Sequence, residues 1–222
     1  MDWSAFLLSL QLGASTLVVL LPMSLVVGRA LALGRFPGKG IAEALVALPL
    51  VLPPTVLGFY LLVGFGARSP LGQAVVSLTG HTLAFNFSGL LLASVLINVP
   101  FAVQPVQRAF ESISEDLREA AACCGMPPWQ AFLRVELPLA WPGLVSAAAL
   151  TFAHTLGEFG VVLMVGGNIP GQTKVLSIVI YESVETLDYR TAHILSAGLL
   201  VFSFAVLLAV YLLNRRSPIE SR

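Results

Sequence analysis

Apolar and polar stretches alternate along the chain at a length typical of membrane-spanning helices. Because an α-helix needs about 20 apolar residues to cross the hydrocarbon core of a bilayer, each long apolar stretch predicts one span. A shorter stretch, 175–181, cannot span, so we expect a short periplasmic or re-entrant helix whose backbone is covered by protein or water. The sequence thus predicts an all-α polytopic membrane protein with a single transmembrane domain over 1–222. The five predicted spans are 5–27, 41–65, 89–106, 142–165 and 191–213.

Composition agrees with this pattern. Of the 222 residues, 57% are hydrophobic and 11% are charged, whereas soluble domains carry about 25% charged residues. The formal net charge is zero, which argues against a nucleic acid partner because no excess of cations is present to neutralise phosphates. The residues before the first span lack the basic region of a cleavable signal, so we expect this span to be retained.

Lysine and arginine are distributed unevenly between the two sides that the spans define. Nine of the 12 lie in segments 28–40, 107–141 and 214–222, and only Arg68, Lys174 and Arg190 lie on the other side. Because cytoplasmic segments carry the excess of positive charge, the N-terminus is predicted outside and the C-terminus in the cytoplasm. The nine are Arg29, Arg35, Lys39, Arg108, Arg118, Arg134, Arg215, Arg216 and Arg222.

The fourth predicted span carries ionisable residues. His154 and Glu158 are four residues apart and would share one helix face, beside Thr151 and Thr155. An ionisable group at membrane depth is unfavourable unless it is paired or faces water, so we expect Glu158 to point into the protein. Three roles stay open for Glu158: a hydrogen-bond anchor, for example to a neighbouring helix end; a position beside a transport pathway or gate; and a proton relay.

The second predicted span contains prolines, and the third contains an asparagine. Pro49 and Pro53 each remove an intrahelical hydrogen bond, so we expect the second span to kink or break at both. Asn98 adds a polar group near the middle of the third span. Polar groups and kinks in three successive spans indicate helices that line a route. The candidate pathway or gate residues are Pro53, Pro54, Thr55, Asn98, Thr151, His154, Thr155 and Glu158.

Motifs for ATP binding or catalysis are lacking in the sequence. Segment 34–40 contains a Gly-Lys pair, but Leu33 and Gly40 occupy the positions that a Walker A motif gives to Gly and to Ser or Thr. No nucleophile–base pattern or metal-ligand spacing occurs. We therefore expect no catalytic residue, metal or cofactor in this chain, and any ATP hydrolysis must come from another polypeptide. Cys123 and Cys124 are adjacent and are expected to remain reduced.

A motif in the polar segment between the third and fourth spans is the most specific signal. It consists of Glu119-Ala120-Ala121, then Gly125, Val135 and Leu137-Pro138 at fixed spacing. This resembles the EAA loop of permease subunits in bacterial ABC importers, whose pattern is EAA-x3-G-x9-I-x-LP. Val135 replaces the Ile of that pattern, which is a volume-conserving change. In the family, a separate ATPase docks on this loop.

The resemblance extends to other parts of the chain. Residues 48–58 (LPLVLPPTVLG), 156–160 (LGEFG) and 167–173 (GNIPGQT) are similar to segments of molybdate permease subunits. Sulfate permeases share a stretch like the last two, so sulfate or another small oxyanion stays open as an alternative substrate. The first segment and the short chain favour molybdate, with tungstate as a candidate co-substrate. Some members have a sixth, N-terminal span, which we do not expect here.

This resemblance implies a type I ABC importer permease in the bacterial inner membrane that works by alternating access. It implies a homodimer, two cytoplasmic ATPase subunits that bind ATP and Mg, and a periplasmic oxyanion-binding protein. Segment 115–138 would be the coupling segment, with Glu119 as a charged contact and Gly125 ending a helix at positive φ. The expected coupling residues are Glu119, Ala120, Ala121, Gly125, Val135, Leu137 and Pro138.

Two other classes of protein fit the sequence less well than a permease does. A proton-coupled secondary transporter could use Glu158 and His154, but such transporters usually contain more spans arranged as inverted repeats. An intramembrane enzyme would need a nucleophile–base pair or a metal site, and the sequence offers neither pattern.

Overall fold

The computed structural model describes residues 3–214, and every regular element in that range is helical. The predicted all-α class is therefore confirmed. Arg215, Arg216 and Arg222, which contributed to the predicted orientation, lie outside the described residues. The helices are α1 (Trp3–Leu33), α2 (Lys39–Val51), α3 (Pro54–Phe65), α4 (Pro70–Thr79), α5 (Phe87–Glu111), α6 (Glu115–Cys123), α7 (Pro128–Ala131), α8 (Leu137–Gly157), α9 (Gly160–Gly166), α10 (Leu176–Glu185) and α11 (Tyr189–Asn214), with a π-helical turn over Phe132–Glu136.

Four continuous helical stretches within residues 3–214 are long and apolar enough to cross a membrane. They are α1, α5, Pro128–Gly157 and Tyr189–Leu212. Helices α2 and α3 together form a fifth candidate span that is bent by 109°. The predicted segment 175–181 corresponds to α10, which is longer than expected, and α4 was not anticipated because its apolar content is modest.

Helix α5 is the centre of the bundle and packs against both α1 and α8. In its most apolar window 61% of the residues are buried, whereas the corresponding window of α11 has none. Contact with α8 is close: a Cβ added to Gly143 would lie 2.4 Å from Cβ of Ala109 and 2.8 Å from the Pro105 carbonyl oxygen. Small residues of this kind allow membrane helices to approach until their backbones touch.

The second predicted span breaks between α2 and α3. Leu52 and Pro53 are extended, with ψ near 136° and 135°, and Pro54 begins α3. The proline ring excludes a helical hydrogen bond and disfavours helical geometry in the residue before it, so the break follows from the sequence. The predicted kink or break takes the form of a break at Pro53, whereas α2 continues past Pro49.

The fourth predicted span, 142–165, is not one helix. Helix α8, which begins at Leu137, ends at Gly157, and a second helix, α9, starts at Gly160. Glu158 leaves the helical conformation, with ψ of 128°. No proline lies at this position, so backbone chemistry alone did not predict the break. Its physical cause is the side-chain arrangement described below.

Candidate functional sites

The EAA-like residues form a short helix that ends in a tight turn. Helix α6 begins after Ser114 and carries Glu115 and Asp116 in its first turn, where carboxylates favour the helix dipole. At its end, Gly125 has φ of +74°; its N–H donates to the Ala122 carbonyl, and the next N–H donates to the Ala121 carbonyl. This pair of bonds is a Schellman motif, which requires a residue able to adopt positive φ. The predicted positive φ at Gly125 is confirmed.

One face of α6 is buried and the other is open. Ala121 packs inward with 6% of its surface exposed, while Glu119, Ala120 and Gly125 are exposed. Cys123 and Cys124 are free and exposed. The exposed side chains of Leu117, Trp129 and Leu133 add apolar area in the same segment.

The second half of the motif connects this segment to α8. Val135 lies in the π-helical turn, and Leu137 and Pro138 start α8. The N–H of Leu137 bonds to the Phe132 carbonyl, five residues back, instead of four. Pro138 has no N–H to donate, and its ring would crowd the carbonyl four residues earlier, so a wider preceding turn relieves this conflict.

A buried ionic cluster next to the motif was missed in the sequence. Glu136 is only 4% exposed. Its carboxylate accepts two hydrogen bonds from Arg29, at 2.6 Å from Nε and 3.2 Å from a terminal nitrogen. Nε of Arg118 lies 3.9 Å from the same carboxylate. A Glu directly between the apolar residues Val135 and Leu137 was the signal that could have indicated this cluster.

A chain of polar side chains crosses the interior of the bundle from α1 to α8. Thr16 on α1 bonds to the Ser94 hydroxyl at 2.9 Å. The amide nitrogen of Asn98 donates to the Ser94 carbonyl at 2.8 Å, and the amide oxygen of Asn98 lies 3.0 Å from Nδ1 of His154. Because an amide oxygen can only accept, His154 donates in this bond. The other ring nitrogen of His154 lies 3.9 Å from Glu158.

Glu158 occupies the break between α8 and α9 and connects both sides of it. One carboxylate oxygen accepts the Val161 N–H at 3.0 Å, which caps the first turn of α9. Its carbonyl oxygen accepts the Ser177 hydroxyl of α10 at 2.7 Å. Glu158 is 7% exposed, so it points into the protein as expected. The bond to the side chain replaces the one that the Val161 N–H would have made in a continuous helix, and this stabilises the break.

The structure brings Asn98, His154 and Glu158 together but leaves the two threonines apart from them. Thr155 donates to the carbonyl of Thr151 on the same helix, at 2.8 Å. The Thr151 hydroxyl is buried and has no hydrogen-bond partner among residues 3–214. The two threonines share α8 with His154, and the hydrogen bond of Thr155 is made within that helix.

The two helix breaks face each other. Pro53, Pro54 and Thr55 are exposed at the start of α3. A Cβ added to Gly160, at the start of α9, would lie 3.0 Å from Cβ of Pro54. One turn on, a Cβ on Gly58 would lie 2.9 Å from Cβ of Met164. Glycine at both positions allows α3 and α9 to lie side by side immediately after their breaks.

The loop after α9 is fixed by its own hydrogen bonds. Gly167 and Gly171 adopt positive φ, and Thr173 donates to the Gly166 carbonyl at 2.6 Å. Glu182 on α10 forms an ion pair with Lys174 and accepts a hydrogen bond from Asn168. Lys174 first, and Asn168 second, hold the pKa of Glu182 below its ordinary value. Within residues 3–214, no group of three or more metal-ligating side chains occurs.

Residues 21–217 match the family model described as "Binding-protein-dependent transport system inner membrane component". The chain belongs to this family.

Individual relatives within the family are named as permeases for molybdenum or sulfate transport. The "Molybdenum transport system permease protein ModB" of Azotobacter vinelandii is 50% identical over 95% of this chain and 93% of its own length. The protein of the same name from Escherichia coli K12 is 35% identical over 83% of this chain and 81% of its own length. A "Probable sulfate transport system permease protein" of Marchantia polymorpha is 34% identical over 78% of this chain and 60% of its own length.

Solved structures show the same fold. A bacterial ABC transporter involved in the import of alginate superposes with a TM-score of 0.77 at 17% identity, over 97% of this chain and 79% of the other. The MetNI methionine ABC transporter gives a TM-score of 0.68 at 20% identity, over 96% and 93%. The type I importer permease fold, an inner membrane location and a role as a transport component are thus established for this chain.

Proposed function

We propose that this protein is the permease subunit of an ATP-driven importer that carries molybdate across the inner membrane. The observation that carries the proposal is the 50% identity to a molybdenum transport permease over nearly the whole chain. Tungstate is the expected co-substrate because it is the closest chemical analogue. Sulfate is the second candidate, supported by the lower identity of 34% to a sulfate permease.

The coupling segment supports ATP hydrolysis by a separate subunit. The exposed side of α6, with Glu119 and Ala120, offers a short rigid helix that a cytoplasmic ATPase can bind. Its alanines allow close approach, and the Schellman turn at Gly125 fixes where the helix ends. ATP and Mg would bind to that partner, so we expect no cofactor in this chain.

A test of the ATPase dock uses Gly125. A β-branched residue at φ of +74° is strained by about 1–3 kcal/mol. Nothing lies within 4 Å of the added Cβ, so Gly125→Val strains the backbone without creating a clash. We expect less ATPase to co-purify with Gly125→Val, and near-normal amounts with Gly125→Asn, because Asn tolerates this conformation. Normal co-purification with the Val variant would show that the ATPase binds elsewhere.

Two copies of the chain are expected in the assembly. One chain supplies one EAA-like segment, and two ATPases would need two. The unburied apolar window of α11, and α2, which has no fully buried residue, leave large apolar surfaces that lipid or a second copy can cover. The mass of the purified complex tests this expectation, because a single permease copy with two ATPases would contradict it.

The breaks in the helices support a route for the anion by alternating access. Irregular backbone at membrane depth is tolerated where it is covered by protein or lines a water-filled cavity. We propose that Pro53, Pro54 and Thr55 lie beside the route, and that Asn98, His154 and Glu158 stabilise the helices around it. An ionised Glu158 would repel an oxyanion, so we expect a periplasmic binding protein, and not the permease, to bind the oxyanion tightly. The N-terminus of the permease is expected on the periplasmic side.

Uptake in a strain without its own molybdate permease tests the function. The chain would be expressed with its neighbouring ATPase and binding-protein genes, and uptake of radiolabelled molybdate would be measured. Excess tungstate should compete, and excess sulfate should not. Competition by sulfate would favour the second candidate, and loss of uptake with an uncoupler while ATP persists would favour a proton-coupled transporter.

A further inference from the structure

We propose that Glu136, Arg29 and Arg118 form a joint that transmits movement of the coupling segment into α1 and α5. This inference rests on the proposed function, because it requires an ATPase that moves α6. These three residues are positioning residues: they lie at the end of the bundle near α6, and none belongs to the chain of polar side chains between Thr16 and Glu158.

The first half of the joint connects α8 to α1. Arg29 lies near the end of α1 and binds both carboxylate oxygens of Glu136, at 2.6 Å and 3.2 Å. Two parallel hydrogen bonds fix direction as well as distance, which a single bond does not. The Arg29 guanidinium also lies 5.2 Å from the centre of the Phe132 ring, in the π-helical turn. A displacement of this turn is therefore passed directly to α1.

The second half connects α6 to α5. Arg118 is in the EAA-like helix and donates to the carbonyl oxygens of Phe110 at 2.9 Å and Ile113 at 2.6 Å. Phe110 is in the last turn of α5 and Ile113 follows directly after its cap, so the cation is favoured by the helix dipole. Arg118 thus fixes the position of α6 relative to the central helix of the bundle.

Arg118 and Glu136 connect the two halves, and the contact between them is not a hydrogen bond. Nε of Arg118 is buried and has no hydrogen-bond partner among residues 3–214. It lies 3.9 Å from the same Glu136 carboxylate, which is too long for a hydrogen bond. A shift of α6 by about 1 Å towards Glu136 would bring the pair to hydrogen-bond distance. The geometry therefore offers two arrangements, with Glu136 held by Arg29 alone or by both arginines, and movement of α6 selects between them.

A permanent structural ion pair is the competing interpretation, and it predicts a different result. If the cluster only stabilises the fold, its loss lowers the amount of assembled complex, and ATP hydrolysis and uptake fall together. If the cluster is a joint, hydrolysis continues while transport fails, because α6 still binds the ATPase but no longer moves α1 and α5.

The experiment measures both activities in proteoliposomes that contain the complete complex and binding protein. Glu136→Gln keeps the shape and an acceptor for Arg29 but removes the charge. Arg118→Lys keeps a charge and a donor for the two carbonyls but removes Nε. We expect both variants to hold the normal amount of ATPase and to hydrolyse ATP, while molybdate transported per ATP falls about tenfold.

Glu43→Gln is the matched control. Glu43 also forms an ion pair, with Lys39 at 3.9 Å, but its side chain is 40% exposed. The ratio of transport to hydrolysis should be unchanged in this variant. An unchanged ratio in Glu136→Gln, or an equal fall of both activities, overturns the joint. If Glu136→Gln prevents assembly, Arg118→Lys decides by the same criterion.

Failure of the proposed function would look different. A wild-type complex that accumulates no molybdate under ATP contradicts the proposed function itself. A wild-type complex that couples ATP to uptake, with variants that couple equally well, removes only the joint.

Discussion

Two apolar segments of this protein are broken, and the two breaks have different causes. Between α2 and α3 the chain turns by 109° at Leu52-Pro53, where the proline ring excludes helical continuation. Between α8 and α9 there is no proline, and the chain leaves the helix at Glu158, whose carboxylate caps the next helix. The first break is a property of the backbone. The second depends on one side chain and on what surrounds it.

This difference bears on how each break responds to mutation. The missing N–H and the ring clash of a proline are covalent facts, so they favour a break in any environment, although Pro49 within α2 shows that they do not enforce one. A capped break exists only while the capping group and the packing partners are present. In this structure α3 is one of those partners, since Gly160 and Gly58 bring α9 against it. The proline break therefore fixes where α3 begins, and α3 in turn packs against α9 directly after the break at Glu158.

The largest effect is expected from removing the prolines. Each proline disfavours a helix interior by about 3 kcal/mol, so Pro53→Ala combined with Pro54→Ala makes a continuous helix over 39–65 competitive. Spin labels at the exposed positions Leu45 and Tyr60 would then move apart towards about 22 Å between backbones, at 1.5 Å per residue. Uptake should fall with this change.

The labelled wild-type chain is the control for this experiment. An unaltered distance in the double variant would show that tertiary packing, and not proline, maintains the bend. The two breaks would then be of the same kind.

Glu158 gives the next largest effect. Glu158→Ala leaves the Val161 N–H without its partner in a buried position, which is unfavourable by about 1–3 kcal/mol. We expect this variant to lose most molybdate uptake at equal membrane abundance. Glu158→Gln keeps an acceptor oxygen for Val161 and should retain substantial uptake. Equal loss in both variants would show that the charge is required, and the interpretation of Glu158 as a hydrogen-bond anchor would be wrong.

The two glycines that flank the second break provide a matched pair. Gly160→Ala places a Cβ 3.0 Å from Pro54, and such overpacking is unfavourable by about 1–3 kcal/mol. Gly157→Ala meets nothing within 4 Å and should be neutral. The difference between the two variants would be measured as thermal stability in detergent and as molybdate uptake in membranes. Equal behaviour would show that α3 and α9 do not need this close contact.

The smallest effect concerns the loop that follows α9. Lys174→Met removes the ion pair with Glu182, which is worth at most about 1 kcal/mol for a partly exposed pair. Because the pKa of Glu182 is lowered in the folded protein, the ionised carboxylate contributes to the stability of the fold, and this contribution is fully present above the unfolded pKa of about 4.3. It is lost as the pH falls through the lowered folded pKa.

The difference in stability between Lys174→Met and wild type should therefore be visible at pH 7 and vanish in acid. A difference that persists at a pH well below the folded pKa of Glu182 would indicate that Lys174 acts through packing and not through charge.

Features of the site that depend on local chemistry were predictable. The positive φ at Gly125 and the bend at Pro53 follow from the conformational range of single residues. Glu158 was expected to point into the protein, because an ionisable group is unfavourable at membrane depth unless it has a partner or faces water, and Asn98 and His154 were identified as polar groups in the spans. Thr16 and Ser94, which complete the polar chain, were missed because a small hydroxyl in a membrane helix can bond to its own backbone and gives no distinct signal.

The sequence by itself determined the class of the protein, the apolar segments that become helices, the proline break and the family, because these follow from composition, covalent geometry and a spaced motif. Tertiary structure alone decided which polar groups meet. Arg29 and Glu136 are far apart in the chain, and Ser177 reaches the Glu158 carbonyl oxygen only because α10 packs beside the second break. Such contacts depend on the packing of several helices, and one-dimensional spacing does not contain that information.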